Sequence, residues 1–148
     1  MTVLTYFVAG LTKLHGAGLD WVTGDVLRNY VAYDNVRKIE LGDVHSPLGA
    51  WLVSFGWVFA PMAVFSVLVE LGAPLALLGG RTARLWMAGA WLFHAGILAV
   101  MAILFPYPLV GLAFLPFLPL EEIWQRARSR LQGLAPLAAD VSATSGNP

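Results

Sequence analysis

The sequence of 148 residues contains no cysteine. A chain without cysteine forms no disulfide, has no thiolate nucleophile, and builds neither a zinc–thiolate site nor a cysteine-ligated iron–sulfur cluster. These classes of chemistry are therefore excluded, and cysteine usage gives no indication of the redox compartment in which the protein works.

Charged residues are also scarce. They make up 12% of the chain, against about 25% in an average soluble domain, and nine basic residues balance nine acidic ones. The basic side chains do not form a patch interleaved with aromatic residues, so we expect no nucleic-acid partner. Glu70 and His94, the ionisable residues of the longest apolar runs, are too few to hold a metal ion, and we predict no metal site.

Apolar residues dominate instead, at 58% of the chain. Residues 48–80 contain one ionisable side chain, Glu70, and residues 85–120 contain one, His94. About 20 apolar residues cross the hydrocarbon core of a membrane as a helix. The first run therefore predicts one span, and the second is long enough for two short passes. We predict an all-α, multi-pass transmembrane bundle of three to four spans plus an interfacial helix, and not a water-soluble domain.

Proline, glycine and charge set the expected boundaries of these spans. Met1–Leu14 is interpreted as the latter part of a transmembrane helix, with a signal peptide as the alternative. A second helix is expected from Leu48 towards Leu78, kinked by its prolines, and a third from Leu85 to Leu104. The short segment Leu109–Leu120 either spans the membrane or re-enters it.

Residues 15–47 form an acidic connection with a net charge of −2. Within it, Val26, Leu27, Tyr30 and Val31 follow the spacing of one helical face. An amphipathic helix lying in the membrane interface fits this pattern. A solvated surface loop is the alternative.

Basic residues near the ends of spans predict the orientation in the cell membrane. Arg81 and Arg84 follow the second predicted span, and three further arginines follow the last one, whereas acids outnumber bases in the 15–47 connection. We therefore expect the arginines in the cytoplasm and the connection outside. Residues 1–120 are predicted to be the membrane domain, and residues 121–148 a basic cytoplasmic segment with a disordered tail.

Three ionisable residues fall inside predicted spans, where charges are energetically expensive: Lys13, Glu70 and His94. Glu70 lies 11 residues before Arg81, and His94 lies 10 residues after Arg84. At a rise of about 1.5 Å per residue, Glu70 and His94 occupy the same depth on neighbouring helices. We predict a hydrogen bond or a shared proton between them. The pair is either a polar clasp between helices or part of a functional site.

Lys13 also has two interpretations. Its ammonium group either extends along the helix to the lipid headgroups or remains away from water, where a lysine can serve as a general base.

The residues around Lys13 resemble a known family. Ala9-Gly10-Leu11-Thr12-Lys13-Leu14 followed by Asp20-Trp21-Val22-Thr23-Gly24 is similar to a pattern in the vitamin K-dependent γ-carboxylases. It is also similar to that of their bacterial relatives with a horizontally transferred transmembrane (HTTM) domain. Further matches, in the same order, are Glu70-Leu71-Gly72-Ala73-Pro74, Phe93-His94, Phe105-Pro106 and Phe114-Leu115-Pro116.

This resemblance implies that Lys13 is the base that deprotonates a reduced quinone of the vitamin K type, in a polar site shared with Glu70 and His94. It also implies an N-terminally truncated bacterial member of the family. Lys13 and Trp21 are three residues further apart than in the carboxylases. No large β-rich extramembrane domain is expected after the last helix, so carboxylation of peptides by this chain alone is not expected.

An alternative function belongs to a different class. The chain is then a non-catalytic subunit of a membrane assembly, similar to the small four-helix DoxX-like proteins. Under either interpretation its expected partners are the lipid bilayer and other membrane subunits or helices encoded upstream.

Overall fold

The computed structural model describes residues 1–118, 121, 124, 125, 128 and 129. All regular structure in these residues is helical, which confirms the all-α class for this part of the chain. Met1–Phe117 forms one compact unit. The predicted cytoplasmic segment and disordered tail, 121–148, lie outside the described residues except for the isolated positions given above.

The α-helices are α1 (Thr2–Ala17), α2 (Asp20–Thr23), α3 (Asp25–Glu40), α4 (Pro47–Leu52), α5 (Phe59–Leu71), α6 (Gly80–Met101) and α7 (Pro106–Leu109). Short 3-10 helices cover Gly56–Val58, Ala73–Leu78 and Leu112–Phe117.

Helices α1, α5 and α6 form the centre of the fold. Helix α1 runs antiparallel to α5, because Lys13 of α1 contacts Glu70 near the end of α5 while Trp21, further along the chain, contacts Ser66. It runs parallel to α6, because Tyr6 packs on Trp86 and Lys13 lies over Phe93. The three helices therefore cover the same thickness in alternating directions.

An aromatic cluster fills the space between these helices at the beginning of α6. Tyr6 and Trp86 meet edge to face with ring centroids 5.2 Å apart, and Trp86 and Phe114 meet at 5.9 Å. The indole N–H of Trp86 donates to the carbonyl of Val69 at 2.9 Å. Edge-to-face aromatic pairs with a satisfied indole are favourable core contacts, so this cluster holds α1, α5 and α6 together.

Among the described residues, α6 is the one helix long and apolar enough to cross a membrane. Its 22 residues extend about 33 Å, compared with about 30 Å of bilayer hydrocarbon. Only 22% of its most apolar 18-residue stretch is buried within the protein. An apolar core helix of a soluble protein would be mostly buried, whereas α6 presents an apolar surface to its surroundings.

The expected continuous helix over Leu48–Leu78 is wrong. The chain forms α4, a 3-10 turn, α5 and a second 3-10 helix over that range. Pro61 lies in the first turn of α5 and Pro74 in the first turn of the second 3-10 helix. Because the first backbone N–H groups of a helix have no partner within it, proline is tolerated there. The prolines therefore accompany helix starts and do not kink a single long span.

The other predicted boundaries also move. Helix α6 begins at Gly80, so Arg81 and Arg84 lie at its start and not in a separate turn. It ends at Met101, where Ala102 adopts the left-handed conformation, three residues before the expected end. Between Phe105 and Leu118 the chain forms only α7 and a 3-10 helix, and no full-length span.

The 15–47 connection is mainly helical, which excludes the loop alternative. Helix α3 packs against the bundle through Val31, which is 1% exposed and contacts Phe59 and Val100. Tyr30, predicted on the same face, is 57% exposed. Because Val31 is buried with Phe59 and Val100, α3 belongs to the core of the fold and does not merely lie on its surface.

Polar residues of the connection cap the carboxyl end of α6. Lys38 donates to the carbonyl of Met101, Asn35 to that of Val100 at 3.5 Å, and Ser46 to that of Ala99 at 2.5 Å. The last carbonyls of a helix have no partner within it, and here side chains supply those partners. The cationic Lys38 also complements the negative end of the helix dipole.

Asp34 holds this cap in place from within α3. Its Oδ1 atom accepts a hydrogen bond from Arg37 at 3.0 Å. Its Oδ2 atom lies 2.8 Å from the Lys38 ammonium in an ion pair and accepts no hydrogen bond. Burial by itself would raise the pKa of Asp34, but the hydrogen bond from Arg37 and the positive charges of Lys38 and Arg37 lower that pKa below its ordinary value.

This pKa shift predicts a pH dependence of stability. The ionised Asp34 stabilises the folded protein above about pH 4, the ordinary aspartate value. That contribution is lost as the pH falls through the lowered pKa of the folded state. We expect Asp34→Asn to lower the melting temperature at pH 7 and to weaken its fall below pH 4, as measured by thermal unfolding in detergent. The exposed Asp20→Asn serves as control. A pH profile for Asp34→Asn that matches the wild type would contradict this role.

Candidate functional site

One face of α1 carries the residues that meet the polar groups of α5 and α6. Tyr6, Gly10 and Lys13 occur at i, i+4 and i+7, the spacing of one helical face. Gly10 allows the closest approach, because a Cβ at this position would lie 2.9 Å from the Leu71 side chain and 3.0 Å from the Cβ of Glu70. The missing side chain therefore brings Glu70 against α1 between Tyr6 and Lys13.

Lys13 and Glu70 form an ion pair inside the bundle. Nζ of Lys13 donates to Oε1 of Glu70 at 2.7 Å, and the two side chains are 22% and 5% exposed. The ammonium also lies over the rings of Trp21, at 4.8 Å, and Phe93, at 5.3 Å. A carboxylate and two aromatic faces thus fix one cation, and its charge is held within the protein.

Trp21 is itself held in position by α5. Its indole N–H donates to Oγ of Ser66 at 3.1 Å, and the Ser66 hydroxyl donates to the carbonyl of Ala63 at 2.8 Å. This short chain of hydrogen bonds orients the indole ring towards Lys13.

His94 has a different partner from the one expected. Nε2 of His94 lies 2.5 Å from the hydroxyl of Tyr6, and the two rings meet edge to face. No hydrogen bond joins Glu70 to His94, so the expected direct pairing is wrong. Both residues are buried at 4% and 7% exposure and both turn towards α1, which supplies a separate partner to each. The two residues do lie on neighbouring helices, but the partner of each comes from a third helix, α1.

Two buried polar atoms of this region have no hydrogen-bond partner, Oε2 of Glu70 and Nδ1 of His94. A buried polar atom without a partner is costly, so each such atom calls for an explanation, such as a bound water or ion or a chemical role. The Lys13–Glu70 pair therefore retains the capacity to accept a further hydrogen bond.

A cavity of about 570 Å³ lies beside Lys13. Its walls come from α3, α5 and the second half of α6, and almost all of its surface is apolar. Among the described residues, Lys13 is the one charged residue that lines it, accompanied by the polar groups of Trp21, Ser66 and Tyr30. The remaining lining residues are Leu27, Val31, Met62, Phe65, Leu92, Phe93, Gly96, Ile97, Val100 and Met101. An apolar pocket with a few convergent polar groups is the usual form of a small-molecule site.

The site contains residues that the sequence did not single out for a role, namely Tyr6, Ser66 and Phe93. Tyr6 stands seven residues before Lys13, and this helical spacing was the available signal for it. Ser66 and Phe93 look like ordinary members of apolar helices, and only the packing of α1 and α2 on α5 and α6 brings them to Lys13.

No family model matches the chain, and neither does any curated protein or solved structure. The geometry of the site is therefore the basis on which its function is argued.

The ion pair predicts a non-additive effect on stability. Lys13→Met leaves the Glu70 carboxylate buried and unpaired, so we expect a loss of about 3 kcal/mol. Lys13→Met combined with Glu70→Met should recover most of that loss, because no unpaired charge remains. Unfolding in mixed detergent micelles measures both variants. Thr12→Met, at an exposed neighbouring position of α1, is the matched control. A Lys13→Met variant as stable as this control would show that the pair is not buried.

Proposed function

We propose that the chain is a multi-pass α-helical protein of the cell membrane, of the HTTM and γ-carboxylase-like type, whose polar intramembrane site binds a reduced quinone of the vitamin K type. The observation that carries this proposal is the Lys13–Glu70 pair beside a large apolar cavity. The order of the sequence matches at Lys13, Glu70 and His94 also supports it.

The distribution of polar and apolar residues supports the membrane location. Charged and polar side chains are turned inwards, at Lys13, Glu70 and His94, while large apolar side chains are exposed on the outer faces of α1, α5 and α6. Ionisable residues of membrane helices face the bundle interior and pair with one another. The exposed apolar residues of these helices that do not line the cavity include Leu4, Val8, Leu11, Val64, Leu68, Leu85, Trp91 and Leu98.

The arrangement of the helices supports a proposal of three passes. Helix α6 is long enough to cross by itself, and α5 together with the 3-10 helix Ala73–Leu78 covers a comparable stretch in the opposite direction. Helix α1 has 16 residues, or about 24 Å, and runs parallel to α6. We therefore propose α1, α5 with its 3-10 extension, and α6 as the crossings, with α3 capping the bundle at the end of α6.

The cavity fits a ligand with an apolar ring and a hydroxyl group. Its apolar walls accommodate the ring, the faces of Trp21 and Phe93 lie beside Lys13, and the cation is available to an oxygen atom. A reduced quinone combines these features, and when bound it would supply the acidic hydroxyl and the redox chemistry. Lys13 would hold its polar end, and the apolar walls of α3, α5 and α6 would lie against its ring. Glu70 does not line the cavity and would act through Lys13, whose charge it balances.

The residues around Lys13 determine which atom accepts the hydroxyl proton of a bound ligand. In the proposed relay, Lys13 first passes its proton to Oε1 of Glu70, 2.7 Å away, and the resulting amine accepts the proton of a bound hydroxyl group. The proton of the hydroxyl group then resides on Lys13, and the proton that Lys13 gave up resides on Glu70. General bases act through such directed, hydrogen-bonded geometry. The aromatic faces of Trp21 and Phe93 stabilise the same ammonium. Carboxylation of peptides is not part of this proposal.

Ligand binding provides the first test. Detergent-solubilised protein is titrated under anaerobic conditions with 2-methyl-1,4-naphthohydroquinone, and equilibrium dialysis measures the bound fraction. We expect saturable binding that Lys13→Met weakens by about tenfold, or 1.4 kcal/mol, while Thr12→Met leaves it unchanged. Absence of binding by the wild type would refute the quinol site and favour the non-catalytic subunit.

Lys13→Arg separates the base from a simple cation in the same titration. Arginine keeps the charge, but its guanidinium does not deprotonate in proteins. We expect Lys13→Arg to bind the hydroquinone without the near-ultraviolet change that marks ionisation of its hydroxyl in the wild type. The same spectral change in both proteins would exclude Lys13 as the base.

The orientation can be tested separately, because the chain has no native cysteine. Leu78→Cys and Asp43→Cys place exposed thiols near opposite ends of α6. From the arginines at the start of α6 we expect a membrane-impermeant maleimide to label Asp43→Cys on intact cells and Leu78→Cys only after permeabilisation. The reverse pattern would invert the topology, and equal labelling of both positions on intact cells would contradict the spanning role of α6.

A further inference from the structure

Glycine in the interior of a helix is destabilising by about 0.5–1 kcal/mol relative to alanine, so an interior glycine calls for a structural reason. Close packing provides it at several positions. A Cβ at Gly10 would press on Glu70 and Leu71, and one at Gly49 would overlap the carbonyl of Val100. Gly49 must therefore lack a side chain for α4 to rest on the end of α6.

Gly96 is different. It lies inside α6, five residues before Met101, and a Cβ built on it would meet no atom within 4 Å. Packing within the chain therefore does not explain this glycine. Gly96 does, however, line the cavity beside Lys13, and the space that its missing side chain leaves open is part of that cavity.

We propose that Gly96 is a specificity-determining residue of the cavity, and that it makes room for a fused, two-ring ligand whose hydroxyl reaches Lys13. This inference rests on the proposed quinol site and adds to it the element that selects ring size. Phe93, which lies against the Lys13 ammonium, is three residues before Gly96. That separation is about 4.5 Å along the helix, so a ring with its hydroxyl at Lys13 has its body over Gly96.

The opposite walls support this placement. Met62 and Phe65 of α5 and Tyr30 of α3 line the same cavity across from α6. A flat ring system over Gly96 would therefore lie between α6 on one side and the side chains of α5 and α3 on the other. A leucine at position 96 would project into that space and reduce the room next to Lys13, where the body of a bound ring lies.

A second explanation for a half-buried glycine on a membrane helix is contact with another helix, since small residues allow helix backbones to approach closely. The concave setting of Gly96 argues against it. Gly96 is half-buried and lines a cavity that residues of α3 and α5 also line, so a second helix would have to approach it past their side chains. The test therefore also asks whether the protein self-associates through Gly96, which the molecular mass in detergent would reveal.

The test measures how substitutions at position 96, and at the control position 16, change the binding of a two-ring probe and of a single-ring probe. Gly96→Ala and Gly96→Leu are titrated with 2-methyl-1,4-naphthohydroquinone and with the single-ring 1,4-benzohydroquinone. Gly16→Leu is the matched control, because Gly16 also lies in a helix with nothing within 4 Å of its Cβ position and does not line the cavity. Thermal unfolding and the molecular mass in detergent are measured for every variant.

We expect Gly96→Leu to weaken binding of the two-ring probe by about tenfold or more, the scale of a misfit of one or two methylenes. Gly96→Ala should have a smaller effect, binding of the single-ring probe should persist, and Gly16→Leu should behave as the wild type. Neither Gly96 variant should lower the melting temperature, because a Cβ at position 96 meets no protein atom within 4 Å and both alanine and leucine favour a helix over glycine.

Three results would overturn the inference. Undiminished binding of the two-ring probe by Gly96→Leu would show that the space over Gly96 is not used. Equal weakening of both probes would remove ring-size selection. A Gly96→Leu variant that is less stable and smaller in mass than the wild type would assign the glycine to a helix–helix contact. Failure of the wild type to bind either probe is a separate result, because it refutes the quinol site itself.

Discussion

The Lys13–Glu70 ion pair is the interaction on which the arrangement of helices depends. A carboxylate that is 5% exposed between apolar helices needs a cation, and the cost of leaving it unpaired is several kcal/mol. That requirement draws α1 against α5. Gly10 makes the approach sterically feasible, since any side chain there would press on Glu70 and Leu71. With α1 packed against α5, Tyr6 contacts His94 and Trp86. The turn after α1 then brings Trp21 into contact with Ser66 and Lys13.

The second constraint lies at the other end of α6. Its last carbonyls are bound by Lys38, Asn35 and Ser46 of the connection, and Asp34 neutralises Lys38. These contacts hold α3 over the end of the bundle, where Val31 completes a wall of the cavity. A group of paired polar side chains thus lies near each end of the cavity: the Lys13–Glu70 pair at one end and the cap on α6 at the other. Both are built from charges balanced within the protein, so the apolar walls between them are not interrupted.

Sequence reasoning located the charged residues of the site but paired them incorrectly. Counting residues from Arg81 and Arg84 gave the relative depth of Glu70 and His94, and both do lie buried on adjacent helices. Their partners, however, come from α1, whose face cannot be inferred from depth. The prolines were similarly visible but misleading, because Pro61 and Pro74 start helical elements in this fold and do not bend one.

Composition and the spacing of apolar residues by themselves determined the helical class, the apolar character of α6, and the short list of ionisable residues that needed partners. These properties are local, since they depend on the residues of one segment and their helical period. The ion pair of Lys13 with Glu70, the hydrogen bond of Tyr6 with His94, the cap on α6 and the open space over Gly96 were decided only by the tertiary structure. Each of these depends on which faces of separate helices meet, and that choice is made by packing among residues distant in the chain.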